Sequence, residues 1–152
     1  MSPYRNILVV CQGNVCRSPV AQAMLKHRMP DKNIQSAGLT ALTGHGVEST
    51  AAELATAAGL DVSGHKARQI DSDMIQWADL ILVMSQNQRG QLGKTAPESL
   101  GKTMLLGHWV QGPGSNASIG LDIPDPYRKS RDVFEHVHKM INQAVTLWAT
   151  KI

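Results

Sequence analysis

The sequence predicts an α/β three-layer sandwich: a central four-stranded parallel sheet flanked by helices, with a glycine-bearing loop at the C-terminal end of the first strand. Three observations point there. Two short apolar runs, Ile7 to Val10 and Leu80 to Met84, have the composition of strands buried on both faces, as parallel strands are. Segments with helical apolar spacing alternate with such runs, as in α/β proteins. The last helical segment carries Val133, Val137, Met140, Ile141, Ala144, Val145 and Trp148 on one stripe, long enough to lie across a sheet.

Taken in order, Arg5 to Val10 is the first strand. Ser18 has the chemistry of an N-cap and Pro19 that of a first helical residue; Val20, Ala21, Met24 and Leu25 supply the apolar face, and Pro30 stops the helix. Asn33 to Ala37 is the second strand, closed by Gly38, and Leu39 to Gly46 is a loop. A helix over about Thr50 to Ala58 turns Ala51, Leu54, Ala55 and Ala58 inward and ends at Gly59. Asp71 or Ser72 caps a short helix through Trp77, and Ala78 to Met84 is the third strand. The helix that Ser85 starts is expected to be interrupted at Gly90 and Gly93. Lys102 to Leu106 is the fourth strand, and Gly107 to Arg128 is a long glycine- and proline-rich loop of the kind that carries function. Ser130 caps the final helix.

A chain of 152 residues, 42% of them apolar, fits one domain over 1–152. No apolar run approaches the ~20 residues that span a bilayer, and Ile7 to Val10 lacks the flanks of a secretory signal. A cytoplasmic location without direct membrane insertion is therefore expected. The net charge of +3 is scattered, which points away from nucleic acid and towards a small anionic ligand. The two cysteines, Cys11 and Cys16, are too close for a fold-stapling disulfide and too few for a four-ligand zinc site. No metal or cofactor is called for.

Both cysteines lie in Val9-Val10-Cys11-Gln12-Gly13-Asn14-Val15-Cys16-Arg17-Ser18-Pro19, where Cys11 leaves a strand and Arg17 opens a helix. Gly13 and Asn14 are suited to dihedrals that turn several N–H groups inward, and such a loop cradles an anion. A thiol attacks as thiolate, and the helix N-terminus, the inward amides and Arg17 all favour that anion. The donors of Gln12 to Arg17 would also hold phosphate oxygens, Arg17 through two parallel N–H bonds. Attack at phosphorus would give a phosphocysteine. A proton donor is then needed, and Asp125, framed by Pro124 and Pro126, is the first choice; Asp122, with no proline after it, is the second.

Cys11 to Pro19 resembles the C-x-G-N-x-C-R-S-P signature of low-molecular-weight protein tyrosine phosphatases, and Asp125-Pro126-Tyr127 resembles their acid loop. The likeness continues through Ser36-Ala37-Gly38, Gly64-His65-Lys66-Ala67-Arg68, Asp79-Leu80-Ile81-Leu82 and Gly107-His108-Trp109. Ile123 to Ser130 is most similar to the bacterial branch associated with capsule and exopolysaccharide synthesis. The resemblance implies Cys11 as nucleophile, Arg17 as phosphate clamp, Asp125 as general acid and base, Asn14 as shaper of the loop and Ser18 as donor to the Cys11 sulfur. It also implies a phosphotyrosine protein as partner, the cytoplasmic part of a membrane tyrosine autokinase. Leu39, Leu42 and Tyr127 would wall the cleft. Val110 to Leu121 is expected to be longer than the family pattern.

Two other functions fit a thiol in an anion loop. Arsenate reduction on this scaffold needs further cysteines, and none follows Cys16. A phosphopeptide-binding module would need neither the thiol nor the framed acid. Cys16 reads evenly as a small structural residue or as a reversible disulfide partner of Cys11. His65 reads as a turn residue held by hydrogen bonds. His136 and His138, two apart on a helix, point to different faces and make a poor metal pair. Gly93-Lys94-Thr95 and Gly101-Lys102-Thr103 imitate a nucleotide loop without its first glycine.

Overall fold

The structure, a computed structural model, describes residues 4–112 and 120–152. Four strands, β1 (Asn6–Cys11), β2 (Asn33–Gly38), β3 (Leu80–Val83) and β4 (Thr103–Leu105), form one sheet in the order β2-β1-β3-β4. Every pairing is parallel: Val9 faces Ser36 on one side and Leu82 on the other, and Leu82 faces Met104. Strands this apolar need cover on both faces. Ile7 and Val9 join a core with α1 (Arg17–Arg28), α2 (Ser49–Ala57) and α5 (Arg131–Ala149), while Leu8 and Val10 join a second core with α3 (Ser72–Trp77) and α4 (Gln86–Thr95). The predicted three layers and four parallel strands are observed.

The stripe on α5 is buried at Val137, Ile141, Ala144, Val145 and Trp148, with Phe134 added, and its cap is Ser130, which accepts from the Val133 N–H. Trp148 Nε1 donates to the Leu106 carbonyl at 2.7 Å, tying α5 to the chain just after β4. Asp71 caps α3 and Ser85 caps α4, as the sequence suggests.

Four local expectations are corrected. Ser18 does not cap α1: Cys16 holds that position without a side-chain bond, and Ser18 is the second helical residue, wholly buried, its hydroxyl turned to the loop. Pro19 is thereby the third residue, still in the first turn, where the N–H it lacks would have no intrahelical partner. Ala58 is exposed at the end of α2, so the inner face is Ala51 and Ala55 with Leu54 half-buried. The α4 helix runs unbroken through Gly90 and Gly93, its cap and packing outweighing the two glycines. Two 3-10 turns, Pro97–Lys102 and Leu106–Trp109, bracket β4, the second inside the span predicted as loop.

After residue 112 the described chain resumes at Gly120, which has φ +87 and sits where a Cβ would lie 2.3 Å from the Gly107 carbonyl oxygen. Leu121 N–H donates to that same oxygen at 3.0 Å. Most of Val110 to Leu121, whose length the sequence singled out, lies outside the described residues. Next, Ile123 N–H donates to the Met84 carbonyl at 2.8 Å, so the segment bearing Asp125 hangs from the end of β3. The sheet order reverses between β1 and β3, and the crevice beyond their carboxyl ends is where ligands bind in such sheets. Among the described residues no helix is long and apolar enough to cross a membrane.

Candidate active site

Beyond β1 the chain turns through 12–16 into α1, and Asn14 makes the turn possible. It has φ +61, the left-handed region that asparagine tolerates better than most side chains, whereas Gly13 does not need a positive φ. The loop's unusual dihedral is therefore at Asn14 alone. Its N–H, turned inward, lies 3.3 Å from Cys11 Sγ. Its side chain is wholly buried and used at both ends: Nδ2 donates to Ser18 Oγ at 2.7 Å and Ser36 Oγ at 3.1 Å, and Oδ1 accepts from the Arg68 N–H at 3.0 Å. The Asn14 carbonyl pairs with His65 Nε2 at 2.7 Å. A carbonyl only accepts, so Nε2 carries the hydrogen. Burial, reinforced by the Arg68 charge and opposed by the Asn14 hydrogen bond, holds the His65 pKa below its ordinary value, which favours the neutral ring in this role.

Cys11 is buried, with Ser18 Oγ 2.9 Å from its sulfur. That oxygen already accepts from Asn14, which leaves the hydroxyl hydrogen for the sulfur. Cys16 is buried as well, and its pKa is pushed up to about 12, first by burial and then by the negative charges of Cys11, Asp125 and Glu48 against the opposing pull of Arg17. It remains a neutral thiol near neutral pH.

Arg17 is the first residue of α1, its side chain 5% exposed. Nη1 donates to the Ile123 carbonyl at 2.7 Å and Nη2 stands 3.8 Å from Asp125 Oδ2. Among the described residues Nε is buried without a hydrogen-bond partner. A buried guanidinium N–H with nothing to donate to costs about 1–3 kcal/mol unless a ligand accepts from it, and a phosphate oxygen would. Asp125, half-exposed, accepts from the Tyr127 N–H at 3.0 Å, a local turn that fixes the carboxyl's direction. Asp122 is occupied elsewhere: its Oδ1 accepts from the Gln86 N–H at the start of α4.

A cavity of about 180 Å³ brings these groups together, lined among others by Cys11, Gly13, Arg17, Leu42, Asp125 and Tyr127. Gln12, Val15 and Cys16 also line it, and Leu42 and Tyr127 stand at its exposed edge. Leu39 does not. It packs beside Ile70 against the opposite core, and Thr40, whose Oγ1 accepts from Gln12 Nε2 at 2.9 Å, takes the place assigned to it. The reason is backbone direction: Leu39 N–H still donates to the Cys11 carbonyl as if extending β2, so its side chain stays over the α3–α4 face. Arg128, at φ +62, lies 5.4 Å from the centre of the Tyr127 ring.

Sequence reasoning did not single out Ser36, Arg68 or Thr40 as parts of the site. The first two lie in runs that carry the family resemblance, but each alone reads as an ordinary polar residue. Among the described residues no three His, Cys, Asp or Glu side chains converge to hold a metal ion. Gly93-Lys94-Thr95 closes a helix and Gly101-Lys102-Thr103 leads into β4, so neither forms a nucleotide loop.

Known proteins match this arrangement over nearly the whole chain. The low molecular weight protein-tyrosine-phosphatase Wzb of Salmonella typhimurium is 44% identical over 96% of this chain and 93% of its own length. The low molecular weight protein-tyrosine-phosphatase Etp of Escherichia coli is 41% identical over 98% and 95%. The crystal structure of the tyrosine phosphatase Wzb from Escherichia coli K30 in complex with sulphate superposes with a TM-score of 0.90 at 39% identity, covering 97% of this chain and 98% of that one. The family described as low molecular weight phosphotyrosine protein phosphatase matches residues 6–152, and with the cysteine loop, buried arginine and facing aspartate in one cavity, the chain belongs to that family.

Proposed function

We propose that the chain hydrolyses phosphotyrosine in proteins through a phosphocysteine at Cys11. The observation that carries this reading is the single cavity in which Cys11, the unpartnered Nε of Arg17 and the carboxyl of Asp125 meet. The substrate's phosphate sits in the loop of Gln12 to Arg17, its oxygens on inward N–H groups and the guanidinium, and its ring between Leu42 and Tyr127. The Cys11 thiolate attacks phosphorus; the bond to the phenolic oxygen breaks, and Asp125 gives that oxygen its proton. Asp125, now carboxylate, takes a proton from water as the water attacks phosphorus. The P–S bond breaks, orthophosphate leaves, and the Ser18 hydroxyl steadies the returning thiolate. Holding nucleophile and phosphate together makes the attack effectively intramolecular.

Turnover of an aryl phosphate in the presence of chelator tests this. Cys11→Ser is expected to abolish turnover, Asp125→Asn to lower kcat by roughly 10²–10⁴, and vanadate to compete with substrate. Undiminished activity of the Cys11 variant, or dependence on added metal, would overturn the mechanism.

The finer reading is that the substrate is the cytoplasmic part of a membrane tyrosine autokinase of capsule or exopolysaccharide synthesis. Its support is the likeness of Ile123 to Ser130 to that branch of the family. Asp125→Asn protein is expected to retain the tyrosine-phosphorylated kinase and release the dephosphorylated form. Equal retention of both forms counts against it.

A further inference from the structure

Behind the Cys11 loop lies a larger cavity, about 540 Å³, that the proposed reaction does not use. Lys26, Lys32, His65, Lys66 and Arg68 line it, and among the described residues no carboxylate does. A second hollow of about 320 Å³ shares Gln22, Lys26, Gly64 and His65 with it, so the two run together as a groove; Asp61 is the one acid on its far wall, turned to Ser63. Lys26 and Lys66 are exposed, and among the described residues the side chain of neither forms a hydrogen bond or ion pair. The placement of Lys26 in the last turn of α1 is explained by the helix dipole, and that of Arg68 by its guanidinium, whose Nε donates to the Ser36 carbonyl at 3.0 Å and Nη2 to Gln35 Oε1; the turning of Lys66 onto the same hollow has no such explanation.

The groove and the cradle share a wall. Three residues of the groove, Ser36, His65 and Arg68, hold Asn14 by its side-chain amide and its carbonyl. The N–H of Asn14 in turn faces Cys11 Sγ. We propose that the groove is a second anion site, for a chain of two or more linked phosphates, free or carried by a nucleoside, and that its occupant acts on the cradle through Asn14. Several cations spread along a polar groove suit a linear polyanion better than one phosphate. An anion that draws the Arg68 guanidinium off Ser36 and Gln35 shifts the main-chain N–H that Arg68 gives to Asn14, and turnover falls.

Binding is measured by calorimetry with inorganic triphosphate on protein whose cradle is saturated with orthovanadate. One site is expected, weakened about tenfold or more in Lys26→Glu/Lys66→Glu, a change confined to exposed side chains whose folding is checked by its melting temperature. An ATP arm separates the sources: binding like triphosphate assigns nucleotides as ligands, and no binding assigns free phosphate chains. No triphosphate binding to the vanadate-saturated protein, or equal binding by the double variant, overturns the site. In turnover, filling the groove is expected to lower kcat about fivefold in wild type and not in the variant. An unchanged kcat with the groove filled overturns the coupling. That second arm rests on the phosphatase reading; the calorimetric arm does not, so the two can fail separately.

Discussion

Asn14 joins the strained turn of the cradle to its surroundings: an αL backbone at φ +61, a wholly buried amide, and partners on β2 and the 64–68 turn. Asn14→Ala leaves the Arg68 N–H and two serine hydroxyls without their partner and keeps a β-carbon in a region alanine disfavours. A loss of about 2–4 kcal/mol in denaturant unfolding is expected, with a fall in kcat for aryl phosphate because Ser18 is no longer held against the sulfur. That Asn14 matters was legible in its motif. Its partners were not, because they lie 22 to 54 residues away in sequence and meet it only in the fold. Cys16 has a different consequence. As a neutral thiol it adds no negative charge to the cavity it lines with Cys11 and Arg17. In the unfolded chain it ionises from its ordinary 9.0, while in the folded protein it keeps its proton up to about 12, so stability is full below the lower value and declines as pH rises between the two. Urea unfolding at about pH 8 and about pH 10.5 should show a steeper alkaline loss for wild type than for Cys16→Ala; equal slopes would dismiss this account.

Among the elements, α4 shows most plainly how context overrides local preference. A Cβ at Gly93 would come 2.8 Å from Leu100 Cδ2, so that glycine admits the following 3-10 turn, whereas a Cβ at Gly90 meets nothing within 4 Å. Gly90→Ala is therefore expected to stabilise by about 0.5–1 kcal/mol, raising Tm without altering turnover. Gly93→Ala gains less or nothing, since Leu100 must give way. The two glycines look alike in sequence, and only the neighbouring turn separates them. The start of α1 is similar. Ser18 has cap chemistry, but the loop needs its hydroxyl beside Cys11, and the cap position falls to Cys16. The α5 stripe, by contrast, was readable residue by residue, because its period reports the face that a sheet must cover.

Across the whole molecule, Trp148 fastens the last helix to the chain leaving the fourth strand. Trp148→Phe keeps most of the buried area but leaves the Leu106 carbonyl without its 2.7 Å donor, and a cost of about 1–3 kcal/mol in thermal or urea unfolding is expected. An unchanged stability would show that carbonyl to be satisfied otherwise. The same long-range logic builds the site. The sheet order reverses between β1 and β3; the cysteine loop leaves the first of these strands, the Asp125 segment is hung on Met84 beyond the second, and Arg17 spans them through Ile123. The sequence by itself determined the alternation of strands and helices, the cysteine loop and the framed aspartate, because hydrophobic period and turn chemistry are local. Tertiary structure alone decided that Thr40 rather than Leu39 lines the cavity, that Asp122 serves α4, and that Ser36, His65 and Arg68 hold Asn14. Those outcomes depend on which backbone groups a distant segment leaves to be satisfied, and that is settled only when the layers pack.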